Sequence, residues 1–302
     1  MSEFLSSSID TFPAPQKARL PPSVAMLFRP SFLARVESGT HIPLIAQIGR
    51  ATGLVAHAQE SVLSYLSRVY GEMREAYRCE YVYKNELLNY LVTSRHTPGS
   101  SLVIPELRLS KVRVDLAVVN GTTCAYEIKT AFDSLGRLEV QIDTYLKVFD
   151  RVYVVCDAKH LAAVQATLDA RAGILTLDTP GEIVTVREHL DNVPNVSAEN
   201  IFSCMRKPEF LPEIERLFGG IPQVPNTLLY RECRSLFATL APEIAHASLI
   251  RVLKLRYRNV VQRDCSALPS AVRGIFLNLI TEQARGRLTR ARFETALESR
   301  CA

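Results

Sequence analysis

The spacing of apolar positions changes twice along this chain. Up to about residue 78 it is helical: in "HAQESVLSYLSRVYGEMREAYR", Val62, Tyr65, Leu66, Val69 and Met73 fall on one stripe. The earlier stretch "IPLIAQIGRATGL" has some look of half a helix-turn-helix but reads better as a small packing helix. From about 79 to 195 the pattern predicts a helix ("EYVYKNELLNYLVTS") and three strands ("SLVIPELRL", "VRVDLAVV", "CAYEIKT"). A helix from Ser134 to Phe149, strand "RVYVVC", helix "KHLAAVQATLDA", strand "GILTL" and a further strand "EIVTVRE" follow. From about 199 onward "RECRSLFATL", "EIAHASLIRVLKLRY", "AVRGIFLNLI" and "RARFETALES" return to helical spacing, with Pro and Gly between them. The expected organisation is an N-terminal helical region (1–78), an α/β core with a mixed sheet (79–195) and a C-terminal helical region (196–302).

The second and third strands carry charges where the apolar pattern calls for none. Asp115 interrupts one; Glu127 and Lys129 interrupt the other and, two apart, share a face. A two-residue turn at Asn120-Gly121 would pair Val119 with Thr122 and set Asp115 opposite Tyr126, with Glu127 on the wrong face. A three-residue connection, or one bulge, shifts the pairing by one and sets Asp115 opposite Glu127, with Cα atoms about 4.5–5.5 Å apart. We therefore expect that shifted register, with Gly121 or Asn120 at positive φ.

Two carboxylates on one sheet face suit a hard cation such as Mg²⁺ or Mn²⁺, and a lysine beside them can orient a water for attack on phosphorus. Alone, a Glu-x-Lys in a strand is more often a surface ion pair worth little. The next helix adds weight. Leu135, Leu138, Ile142, Leu146 and Phe149 form its core stripe, and Arg137, Gln141 and Tyr145 form a polar stripe at four-residue steps.

Over residues 79 to 160, the element order and the run "EIKTAFDSLGRLEVQIDTYLKVFDRVYVV" resemble the PD-(D/E)XK nuclease superfamily, in particular a poorly characterised bacterial branch with a RecB-like Gln-x-x-x-Tyr helix. The Pro that often precedes the Asp is replaced by Val114. The resemblance implies a core of helix, three antiparallel strands, helix and strand, acting as a Mg²⁺-dependent deoxyribonuclease. Asp115 and Glu127 would hold the metal, joined by an acid from the first helix: Glu80, with Glu86 as runner-up. Lys129 would act on the water, and Gln141 and Tyr145 would line the site. The rivals are a non-cleaving nucleic-acid binder and a protein-interaction subunit of a defence or regulatory complex that keep the same fold.

Composition narrows the field. The 302 residues are 47% hydrophobic and 22% charged, ordinary for a globular protein. Seven scattered cysteines without a CxxC pair, and six histidines without HExxH or HxH spacing, argue against zinc sites and a disulfide framework. With no signal-like start and no long apolar run, a cytoplasmic location is expected. From residue 201 onward sixteen Lys and Arg face nine Asp and Glu, and ten of those cations lie between Arg251 and Arg292. This suggests that the C-terminal helices meet a polyanion, with Arg251, Lys254, Arg256 and Arg258, together with Arg137, contacting nucleic acid.

Overall fold

A computed structural model describes residues 20–91, 101–109, 112–178, 181–258, 268–282 and 295–301. Among the described residues a 3-10 turn at Pro22–Phe28 leads into three helices, α1 (Pro30–Glu37), α2 (Ile42–Thr52) and α3 (Val62–Ala76). The Ser61 hydroxyl starts α3 by accepting the Ser64 N–H at 3.2 Å, and Gly53, at φ +76°, ends α2. The middle runs α4 (Glu80–Tyr90), β1 (Leu102–Leu109), β2 (Val112–Asn120), β3 (Thr122–Lys129), α5 (Leu138–Leu146), β4 (Arg151–Cys156), α6 (Leu161–Thr167), β5 (Gly173–Leu177) and β6 (Ile183–Arg187). Then come α7 (Ala198–Ser203), α8 (Lys207–Phe218), α9 (Asn226–Phe237), α10 (Pro242–Arg256) and α11 (Arg273–Glu282).

The six strands form one mixed sheet in chain order. β1, β2 and β3 are antiparallel, β3, β4 and β5 are parallel through α5 and α6, and β6 returns antiparallel. An α/β fold with a mixed sheet was the expectation. α5 is shorter than the Ser134–Phe149 helix that the periodicity suggests. At the start of that stretch the Gly136 N–H goes to the Ser134 hydroxyl at 3.2 Å, which commits these residues to a turn ahead of the helix.

Each face of the sheet carries its own core. On one face α1 to α4 and residues of 268–277 and 296–301 cover Leu116, Val118, Tyr126, Ile128 and Val155. On the other, α5 to α10 cover Ile104, Ala117, Val119, Ala125 and Val154. The two cores thus lie on the two faces of the one sheet. Residues 299–301 come back to the start of α3: the Val62 N–H reaches Ser299 O at 2.8 Å, and the Cys301 N–H reaches Glu60 O at 3.0 Å. Buried Asn85 on α4 fastens residues 270–274, donating to Ser270 O (2.6 Å) and accepting from Gly274 N (2.8 Å).

Candidate active site

The β2–β3 hairpin adopts the shifted register. Asn120 pairs with Thr122 and Leu116 with Tyr126, around Gly121 at φ +69°. The ladder stops at Leu116 and Tyr126, because the next main-chain donor, the Ile128 N–H, goes to the Asp115 carboxylate at 2.8 Å. A side chain thus takes a bond that a continuing strand would have given to main chain.

One strand further out, Glu106 lies opposite Asp115 within the pairing of Pro105 with Leu116 and Leu107 with Val114. Glu106 sits at φ +53°, a rarely used backbone conformation for a residue with a side chain. The alternation of sides slips at both places: Ile104 and Leu107 share one core, as do Val114 and Ala117. This local break brings carboxylate oxygens of Glu80, Glu106 and Asp115 within 4.8 Å of one another, Glu80 coming from the first turn of α4.

Glu127 and Lys129 point toward α5, as their spacing requires. The Lys129 ammonium donates to Glu127 Oε1 at 2.8 Å and to Gln141 Oε1 at 3.0 Å. The Gln141 amide donates to Glu127 Oε1 at 2.6 Å, and the Tyr145 hydroxyl lies 2.7 Å from Glu127 Oε2 and 2.9 Å from the Arg113 carbonyl. Gln141 and Tyr145, one helical turn apart, thus close on the same carboxylate, which is 2% exposed. Burial, and then the charge of Glu127, raises the Tyr145 phenol well above its ordinary value, so it stays a donor. Asp115 is pushed up to about 7, first by burial and then by the charge of Glu127.

The expected acids therefore divide into two groups. Asp115 and Glu80 join an oxygen cluster, whereas both Glu127 oxygens are engaged by Lys129, Gln141 and Tyr145. Glu86, the runner-up to Glu80, turns away from the cluster: it accepts from the Tyr70 hydroxyl at 2.6 Å and pairs with Arg74 at 3.1 Å inside the helical core. Two members escaped the sequence reading. Glu106 was hidden in the apolar run "SLVIPELRL", where a lone acid after Pro105 was the available signal. Lys84 sits one turn after Glu80, with its ammonium bonded to Glu80 (2.6 Å) and to Glu106. Arg113 also reaches Glu106, at 2.7 Å. The cluster therefore already holds two cationic side chains, one of them largely buried.

The remaining expected contacts separate by geometry. Arg137 is exposed just ahead of α5. Lys254 and Arg258 are exposed, and Arg251 pairs with Glu213 at 2.8 Å while still over half exposed. Arg256 is different. Its side chain is 7% exposed, bonded twice to Glu209 at 2.7 Å and once to the Cys204 carbonyl at 2.8 Å. It ties α10 to α8 and is not presented to a phosphate. Arg263, Arg285, Arg287, Arg290 and Arg292 of the basic run lie outside the described residues. No helix among the described residues is long and apolar enough to cross a membrane.

The chain is 38% identical over 63 residues to Protein cII of Enterobacteria phage P4, a stretch covering 21% of this chain and 24% of that protein. The match thus spans about a quarter of that relative's length. A solved protein of unknown function from Silicibacter pomeroyi, SPO1766, aligns with 54% of this chain and 93% of its own at 15% identity, but its TM-score of 0.26 is too low to bear on the fold. The family model described as Bacteriophage P4 protein cII matches residues 73–269, more than half of the chain and including both the oxygen cluster and the Glu127 network. On that match the chain belongs to the Bacteriophage P4 protein cII family.

Proposed function

We propose that this protein is a metal-dependent nuclease that hydrolyses phosphodiester bonds in DNA on a PD-(D/E)XK-type core. The observation that carries the reading is the buried Glu127–Lys129–Gln141–Tyr145 network standing beside Asp115 at one end of β3. The order α4, β1, β2, β3, α5, β4 around it supports the same reading.

The donor set fits a hard divalent cation: three carboxylates within 4.8 Å, of which Asp115 is pushed up to about 7 by burial and by the charge of Glu127. Asp115, Glu106 and Glu80 would hold Mg²⁺ or Mn²⁺, with Glu127 turned toward the water, and Lys84 would give up a carboxylate oxygen as the ion enters. A bound cation there supplies Lewis-acid polarisation of the phosphate. Lys129 spends two of its three N–H donors on Glu127 and Gln141, leaving one for the attacking water or a phosphate oxygen. Gln141 and Tyr145 lock the Glu127 carboxylate, so the Lys129 ammonium is fixed in direction before substrate arrives. The exposed cations available to meet phosphates are Arg137, Arg251, Lys254 and Arg258.

A second reading has an observation in its favour. Lys84 and Arg113 already balance Glu80 and Glu106, as they would in a non-cleaving subunit that keeps the fold without a metal. A cleavage assay separates the two. Linear, circular and single-stranded DNA are incubated with and without Mg²⁺ for the wild type and for Asp115→Ala, Glu127→Gln and Lys129→Met. The nuclease reading expects Mg²⁺-dependent cutting that each variant reduces by at least about 100-fold. Cutting at the wild-type rate by any two variants defeats the assignment, and no cutting by the wild type favours the second reading.

A further inference from the structure

The segment that follows Lys129 carries a feature the proposed chemistry does not use. Phe132 stands 55% exposed, and its ring lies 5.6 Å from that of Tyr77, inclined at 44°. The loop beneath it is firmly held. Asp133 takes the Thr130 N–H and hydroxyl, the Phe132 N–H reaches Thr130 Oγ1 at 3.2 Å, and the Lys159 ammonium grips the Ala131 carbonyl at 3.0 Å. His160 holds the Thr130 carbonyl from below at 3.1 Å. A large ring kept in water by a loop with this many bonds is presented, not stranded.

Its position follows from the chain. Phe132 is three residues beyond Lys129, and Tyr77 is three residues ahead of Glu80, so each Cα lies within about 11 Å of a residue of the site. The two rings therefore join the two segments that flank the site. Two exposed cations belong to or touch the same segment: Lys159, bonded to the Ala131 carbonyl, and Arg137, five residues further along. An exposed aromatic ring on a segment with cations is a combination that binds a nucleotide, the ring stacking on the base and the cations meeting the phosphates.

Resting on the nuclease reading above, we infer that Tyr77 and Phe132 form a stacking ledge for an unpaired base, so that the substrate is single-stranded or locally unpaired nucleic acid. A base within a duplex offers both faces to its neighbours and none to a protein ring, so a ledge of this kind discriminates against paired strands.

Binding can be read without cutting. Fluorescence anisotropy in EDTA compares a labelled oligothymidine with a blunt duplex of equal length, for the wild type and for Phe132→Ala, Phe132→Leu and Phe132→Tyr. Because Phe132 is exposed, all three are expected to melt with the wild type, which thermal unfolding checks. The ledge predicts tighter binding of the single strand by the wild type. It also predicts a loss of about 5- to 100-fold for Ala and Leu, near-wild-type binding for Tyr, and no change on the duplex. Unchanged single-strand binding by Ala and Leu overturns it. So does an equal loss on both substrates, or full rescue by Leu, which points to an apolar protein contact. Mg²⁺-dependent cleavage of the same oligonucleotide is scored separately. Cutting with Phe132-independent binding fails the ledge alone, and Phe132-dependent binding without cutting fails the nuclease reading alone.

Discussion

Asp115 shows most directly what the site costs the fold. Its carboxyl is raised to about 7 by burial and by the neighbouring Glu127, against about 4 in an unfolded chain. The native protein therefore binds this proton more tightly than the unfolded chain does. The stabilisation is fully present below about pH 4 and is lost as pH climbs through 7. In metal-free buffer at pH 8, Asp115→Asn should melt above the wild type while keeping an acceptor for the Ile128 N–H, and that advantage should shrink toward pH 5. Equal melting temperatures at both pH values would show that the charge is not strained. On the nuclease reading the same group makes cleavage rise with pH through about 7, with a midpoint that moves down as Mg²⁺ is raised, because the cation competes with the proton.

At the scale of elements, the hairpin decides whether a site exists. Gly121 at φ +69° is the only residue between the paired Asn120 and Thr122, and this connection sets the register that brings Asp115 to the Ile128 N–H, next to Glu127. A Cβ at Gly121 meets nothing within 4 Å, so the strain of a substitution there lies in the backbone alone. Gly121→Val should cost about 1–2 kcal/mol in denaturant unfolding, and Gly121→Asn distinctly less, since Asn tolerates the left-handed region. Equal losses would mean that turn conformation does not limit stability. The Asn-Gly dipeptide announced a turn. Its length was legible only through the demand that the two acids share a face. Along α5, the Gln141 and Tyr145 stripe was also legible, since one helical turn between two polar residues has few other uses beside a strand carrying Glu127. Glu106 was not, because its place in the cluster comes from a backbone reversal at φ +53° that the local pattern does not encode.

For the whole molecule, the basic C-terminal part separates into structural and solvent-facing charges. Arg256 is spent on Glu209 and the Cys204 carbonyl. Arg256→Gln should therefore lower the melting temperature, with a loss of about 1–3 kcal/mol, because it leaves the partly buried Glu209 without its cation. Joint neutralisation of Lys254 and Arg258 should leave melting unchanged and, on the nuclease reading, flatten the salt dependence of DNA binding. A normal melting curve for Arg256→Gln would return that residue to the candidate phosphate contacts.

The sequence by itself determined the α/β class, the order of helices and strands through the middle of the chain, and the identity of Asp115, Glu127, Lys129, Gln141 and Tyr145 as polar intruders on apolar elements. These are local signals, carried by periodicities of two and about 3.6 residues and by violations of them. The tertiary structure decided what no local pattern holds. It bonded Glu127 on both oxygens and placed Lys84 and Arg113 on the acids of the cluster. It also moved Glu86 into a helical core, took Arg256 out of the solvated charges, and brought residues 270–274 onto α4 and residues 299–301 onto the start of α3. Each of these depends on which side chains meet across elements far apart in the chain. Burial and charge pairing are settled there, by the packing of the two cores onto one sheet.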